Sequence, residues 1–262
     1  MNKHSYLKKV YAITDRFPDI PEEGTLYVVD SELFRSILSN TGIPKGFPFA
    51  VYRNTLSDDE SFFENVKFVL EGEGKFDPED FDDDFLENIY RRLHKIPRDI
   101  TETDRCIIRE TCLQDLDAFY EIYSDPEITE FMEDLMERSE EEKYTENYRD
   151  LIYEIYGHGI WTVILKSTGE IIGRAGLDER AGFDTPELGF VIGKKWQNQK
   201  LATEACEGVL KWATENDILE VMSLTEKENT ASVKLLEKLG FSFTDTVSVN
   251  GLTYLRYKKS LS

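Results

Sequence analysis

Cysteine and histidine are scarce in this chain of 262 residues, at three each. Cys106, Cys112 and Cys206 show no metal-ligand spacing, and an odd count suits a reducing compartment better than a disulfide framework. Basic residues are also in deficit: 31 Lys and Arg stand against 52 Asp and Glu, a formal net charge of −21. No Lys/Arg-rich stripe remains to neutralise phosphates, which excludes a nucleic-acid backbone as partner. The acid keeps the protein soluble, and its field attracts cationic ligands such as amines. Apolar runs longer than a strand are missing, so no segment is read as spanning a membrane. The lysines near the N-terminus are followed by no apolar h-region, so no secretory signal is expected. These absences set a cytoplasmic expectation.

What is present is enough apolar residue for a core, 40% of the chain with 12% aromatic. The pattern divides near residue 100. Residues 1–96 read as a small α/β module, 97–104 as a polar linker containing Pro97, and 105–262 as a larger domain. In the module, 25–30, 49–52 and 66–70 read as strands. Ser31 caps a helix with Leu33, Phe34, Ile37 and Leu38 inward, and 78–93 reads as a helix burying Phe81, Phe85, Ile89 and Leu93. Strand-helix-strand order predicts a parallel sheet. The acidic run 77–84 lacks the glycine and terminal glutamate of a calcium loop and reads as a helix start. No activity is assigned to this module.

The larger domain opens with a strand at 105–110 and a helix carrying Leu116, Phe119, Ile122 and Tyr123 inward. A long acidic helix over 140–156 follows, with Tyr144, Tyr148, Leu151, Ile152 and Ile155 on one stripe, stopped at Gly157. Residues 160–165 and 170–177 form a hairpin across the turn 166–169. A strand at 187–192, a helix at 202–214, a strand at 219–224, a helix at 230–239 and strands at 241–243 and 253–257 complete the order. No group has metal-ligand spacing, so no metal is expected.

Two motifs carry chemistry. The first is the strand, loop and helix from Glu187 to Ala205, with the loop Gln197-Asn198-Gln199-Lys200-Leu201-Ala202 followed by Thr203. A loop of this kind aims backbone N–H groups at whatever lies over it, a position that suits phosphate. The second is Asn229-Thr-Ala-Ser232-Val-Lys-Leu-Leu-Glu-Lys-Leu-Gly240-Phe241. Together they resemble the GCN5-related N-acetyltransferase (GNAT) superfamily over about 105–260. The closest look is to its subgroup acting on N-terminal amines of ribosomal proteins. That resemblance implies a mostly antiparallel mixed sheet flanked by helices, acetyl-CoA as acyl donor, and direct transfer to a primary amine in a ternary complex.

By resemblance, Phe190, Val191 and Ile192 lie beside the thioester. Gln197, Asn198, Gln199, Lys200, Leu201, Ala202 and Thr203 hold the pyrophosphate, and Asn229 the pantetheine arm. Glu187 is the implied base and Ser232 the implied donor to the departing sulfur. Phe131, Tyr156 and Trp161 fall where relatives line the amine site, although core packing explains such residues equally well. The chain departs from the family twice: Lys200 stands where the loop has glycine, and Leu236 where many relatives have a tyrosine acid. An acetyltransferase fold reduced to an acyl-CoA-binding or sensor protein is therefore the alternative. The acceptor, a protein N-terminus or a small cationic amine, is left open, as is the oligomeric state.

Overall fold

The computed structural model describes residues 6–40, 42–55, 63, 66–132 and 135–261. It divides into two compact units, Met1–Ile96 and Pro97–Ser262. The first unit holds β1 (Lys9–Ile13), β2 (Thr25–Asp30), α1 (Ser31–Asn40), β3 (Ala50–Asn54), β4 (Val69–Gly72) and α2 (Asp83–Leu93). Its four strands are all parallel, in the order β1-β2-β3-β4. Alternation along β2 sends Tyr27 and Val29 to a cluster with Phe34 and Ile37 of α1. Leu26 and Val28 go to the opposite cluster, with Leu86 and Ile89 of α2. Burial on both faces is why β2 is apolar almost throughout. Asp82 caps α2, accepting from Asp84 N at 2.9 Å and Phe85 N at 3.2 Å, so the acidic run does serve a helix start.

The second unit holds β5 (Asp99–Glu102), β6 (Cys106–Arg109), α3 (Leu116–Tyr123), α4 (Pro126–Thr129), α5 (Arg138–Asn147) and α6 (Glu154–Tyr156). Next come β7 (Ile160–Leu165), β8 (Ile171–Asp178), β9 (Glu187–Ile192), α7 (Leu201–Glu215), β10 (Glu220–Thr225), α8 (Thr230–Lys238), β11 (Ser242–Val249) and β12 (Leu252–Ser260). One eight-stranded sheet results, ordered β11-β12-β10-β9-β8-β7-β6-β5 and antiparallel except between β9 and β10. Its main core packs Leu201, Ala205, Val209 and Ala213 of α7 against Trp161, Val163 and Leu188 of the sheet.

Four expectations need correction. Residues 99–102 form β5 and pair with β6, so half of the expected linker is an edge strand held by backbone bonds. Helix α2 begins at Asp83, after a separate 3-10 turn at Pro78–Asp80. Phe81, Ile89 and Leu93 pack inward as expected and Leu86 and Tyr90 join them, whereas Phe85 is exposed. The long helix is interrupted by a π-helical turn at Tyr148–Tyr153, which turns Tyr153 into the core and leaves Leu151 55% and Ile155 68% exposed. The closing strands β11 and β12 are far longer than three to five residues, joined by a turn with Asn250 at φ +50° and Gly251 at φ +82°.

Candidate active site

The sheet opens where its two parallel strands diverge. β9 and β10 share a single register pair, Met222 with Glu187. Side chains bridge the gap in place of ladder bonds. Ser223 Oγ donates to Leu188 O at 2.9 Å, and Leu224 N donates to Glu187 Oε1 at 3.2 Å. On the other edge of β9, Gly193 N donates to Ile172 O at 2.9 Å. Backbone groups alternate sides along a strand. The N–H groups of Phe190 and Ile192 consequently turn away from β8, into the opening. Gly173 is needed beneath this point, because an added Cβ would run into the Val191 carbonyl.

The loop after β9 feeds α7 and borders a cavity of about 500 Å³. Gln197 Nε2 donates to Ile192 O at 3.1 Å, pinning the loop to the strand end. Asn198 and Lys200 both adopt the left-handed region, at φ +60° and +63°. Asparagine tolerates that region and lysine does so at a cost of about 1–3 kcal/mol. No side chain caps α7, so the first-turn N–H groups, which have no intrahelical acceptor, point toward the cavity. Glu204 locks this helix end from behind. It accepts from Thr103 Oγ1 and Arg105 N, both at 2.7 Å, and from Arg105 Nε at 2.6 Å. Burial alone would raise its carboxyl, but these donors hold it below its ordinary range.

A second cavity, of about 210 Å³, meets the first at Met132, Phe190 and Val191. Its walls are aromatic, with Tyr123, Tyr144, Tyr148 and Tyr153, and its charged members are Arg174 and Asp178. The π-helical turn explains two of these walls. Hydrogen bonding between residues five apart stacks Tyr148 over Tyr153, and their rings meet edge to face at 5.2 Å. Both hydroxyls clasp the first residue of β7. Ile160 N donates to Tyr148 Oη at 3.0 Å, and Tyr153 Oη donates to Ile160 O at 2.6 Å. Tyr148 donates onward to Asp178 Oδ1 at 2.8 Å.

The residues expected from sequence divide into three groups. Phe190, Val191, Ile192, Gln197, Asn198, Lys200, Leu201, Ala202, Thr203, Asn229, Ser232 and Phe131 gather around the larger cavity. Asn229 also caps α8, accepting from Ser232 N at 3.1 Å. Gln199 does not line the cavity; its amide donates to Lys195 O. Trp161 is fully buried against Trp212, with ring centroids 4.9 Å apart, and Tyr156 is an exposed helix-end residue, so neither lines a cavity. Glu187 lines neither cavity: Arg180 and Leu224 N hold its two oxygens, and burial pushes its carboxyl up against their pull. Leu236 lies in the core rather than at the site. The sequence places Tyr148 only on a helix stripe and gives Arg174 and Asp178 no role, since only the π turn and the β8 register bring the three together.

Residues 105–242 match the family described as "Acetyltransferase (GNAT) domain". The uncharacterized N-acetyltransferase p20 of Bacillus licheniformis is 29% identical over 145 residues, covering 53% of this chain and 80% of that protein. The solved structure of RimL, a ribosomal-protein alpha-N acetyltransferase, aligns with a TM-score of 0.54 at 12% identity, over 63% of this chain and 94% of that one. The microcin self-immunity acetyltransferase MccE, in complex with acetyl-CoA and AMP, aligns at 0.52 and 15% identity, over 60% and 93%. At such identities the structural likeness speaks for the fold. The family match spans just over half of the chain, and on that match the protein belongs to the GNAT acetyltransferases, with the transferase domain in its second unit.

Proposed function

We propose that the second unit transfers an acetyl group from acetyl-CoA to a primary amine, directly and within a ternary complex. The observation that carries this reading is the junction of two cavities at Phe190 and Val191, beside backbone N–H groups that no neighbouring strand takes up among the described residues. The larger cavity fits a pyrophosphate: uncapped N–H groups at the start of α7, with Lys200 adding a cation. Asn229 and Ser232 border the same cavity further along and serve the pantetheine arm. The N–H groups of Phe190 and Ile192 stabilise charge on the thioester oxygen, and Ser232 donates a hydrogen bond to the departing sulfur. The smaller cavity admits the amine, held close to the thioester so that attack is effectively unimolecular. A protein N-terminus or a small cationic amine is the proposed acceptor, and the N-acetyltransferase name of a similar protein supports acetyl transfer to nitrogen.

A thiol-release assay with an amine panel tests this. The expected result is amine-dependent thiol release with intersecting initial-velocity lines; parallel lines would overturn direct transfer. Lys200 at positive φ and the buried Leu236 favour a second reading, an acyl-CoA-binding sensor. Acetyl-CoA binding without thiol release from any amine would establish that second reading.

A further inference from the structure

Asp178 and Glu187 stand opposite each other in the β8–β9 ladder, and cross-strand partners share a face of the sheet. Their surroundings separate their roles. Glu187 spans the gap between β9 and β10, with both oxygens engaged by Arg180 and Leu224 N, and it lines neither cavity. Asp178 lines the smaller cavity beside Gly189 and Phe190. Its Oδ1 accepts from Tyr148, and among the described residues nothing holds Oδ2. Tyr148 is itself fixed by Ile160 N, and burial beside Asp178 pushes its phenol far up, so it stays a proton donor. Among the described residues neither nearby guanidinium group bonds to Asp178, although Arg174 also lines the cavity. Arg180 is paired with Glu187, and Arg174 lies over Phe119, 3.8 Å from the ring centroid, with Glu141 at 3.9 Å. A carboxylate fixed at one oxygen and open at the other, between aromatic walls, suits an ammonium group.

We infer that Asp178, rather than Glu187, is the carboxylate that meets the acceptor ammonium and takes its proton, with Tyr148 as its positioning residue. This rests on the acetyl-transfer reading above. The ammonium gives one proton to Asp178, directly or through one water. The neutral nitrogen then forms the C–N bond to the acetyl carbon as the C–S bond breaks. The nitrogen's remaining surplus proton goes to the departing sulfur, giving amide and thiol, and Asp178 returns its proton to solvent. Glu187 instead holds the two splayed strands together.

The test uses the full chain and the variants Asp178→Asn, Tyr148→Phe and Glu187→Gln. The amine probes are an alanine-initiated tripeptide, a linear triamine and an amino-acid amide. Thiol release is followed against pH, with melting curves and acetyl-CoA titration calorimetry on every variant. Asp178→Asn is expected to keep its melting temperature and acetyl-CoA affinity while kcat falls about 100- to 10,000-fold. Its acid limb of log(kcat/KM), set in the parent by the carboxylate that must be ionised to take the ammonium's proton, gives way to one that follows the acceptor's own ionisation and moves from probe to probe. Tyr148→Phe loses about tenfold in kcat and shifts that limb without removing it. Glu187→Gln melts lower and keeps the limb. An Asp178→Asn enzyme with the original acid limb, or a Glu187→Gln enzyme that loses it at unchanged melting temperature, overturns the assignment. Should Asp178→Asn fail to fold, an unshifted limb in Tyr148→Phe overturns it. A chain that binds acetyl-CoA yet acetylates none of the probes, or that fails to bind acetyl-CoA, overturns the underlying acetyl-transfer reading instead.

Discussion

Lys200 shows how far a single position can be read. The motif marks it as a glycine position, and the structure confirms the reason, because the backbone there is left-handed at φ +63°. Its side chain borders the larger cavity, so the lysine trades backbone ease for a cation. Lys200→Met should weaken acetyl-CoA binding about tenfold and flatten its salt dependence, read by calorimetry at several ionic strengths. Lys200→Gly should match it in affinity with a near-unchanged melting temperature, since relief of strain is offset by a looser unfolded chain. Equal affinity of the methionine variant and the parent would contradict the charge role. Asp115 makes the pH argument. Burial alone would raise its carboxyl, but Arg109, in a bidentate pair at 2.6 and 2.7 Å, together with Cys112 N and Thr162 Oγ1, holds it below its ordinary value. A depressed folded value adds stability above the unfolded value, and that stability is lost as pH falls through the folded one. Melting curves should therefore show a decline below about pH 5 that is shallower in Asp115→Ala. That variant should also be less stable by about 3–5 kcal/mol at pH 7, from the unpaired Arg109.

Among the elements, those with strong local periodicity were legible and those held by tertiary pairing were not. The 160–165 and 170–177 hairpin and the α7 stripe follow from apolar spacing alone. β1 and β5 are edge strands with mostly exposed or half-exposed side chains, so nothing in their residue pattern announces them. β11 alternates mostly exposed and half-buried positions on a polar sequence, and its real signal was the Asn250-Gly251 turn. The π turn escaped because a 3.6-residue stripe cannot register one wider turn, and it is that turn which sets Tyr148 against Asp178. The residues proposed for the cofactor thus stand in motifs, whereas nothing local marks Asp178 and Tyr148. Gly173 tests the packing that presents β9. Gly173→Ala pushes a Cβ against the Val191 carbonyl, which should cost about 1–3 kcal/mol in urea unfolding and lower acetyl-CoA affinity as the β9 edge shifts. Unchanged affinity at reduced stability would separate the strand's packing from its role at the site.

For the whole molecule, the boundary at Pro97 has a practical consequence. Thr103 lies in the segment expected to be a linker, yet it bonds Glu204 at the start of α7, and β5 covers the flank of the sheet. A 97–262 chain should fold and melt cooperatively, whereas 105–262 should melt several degrees lower and bind acetyl-CoA more weakly; identical behaviour would show that β5 is dispensable. The excess of acid suits a cationic acceptor, but acetyl-CoA is an anion, so the positive groups at Lys200 and the α7 terminus must act locally against the overall field. The most direct measurement is titration calorimetry of the full chain with acetyl-CoA and with CoA. Saturable binding at one site per chain is expected, weakened by salt and by Lys200→Met. Absence of binding at millimolar acetyl-CoA would contradict it.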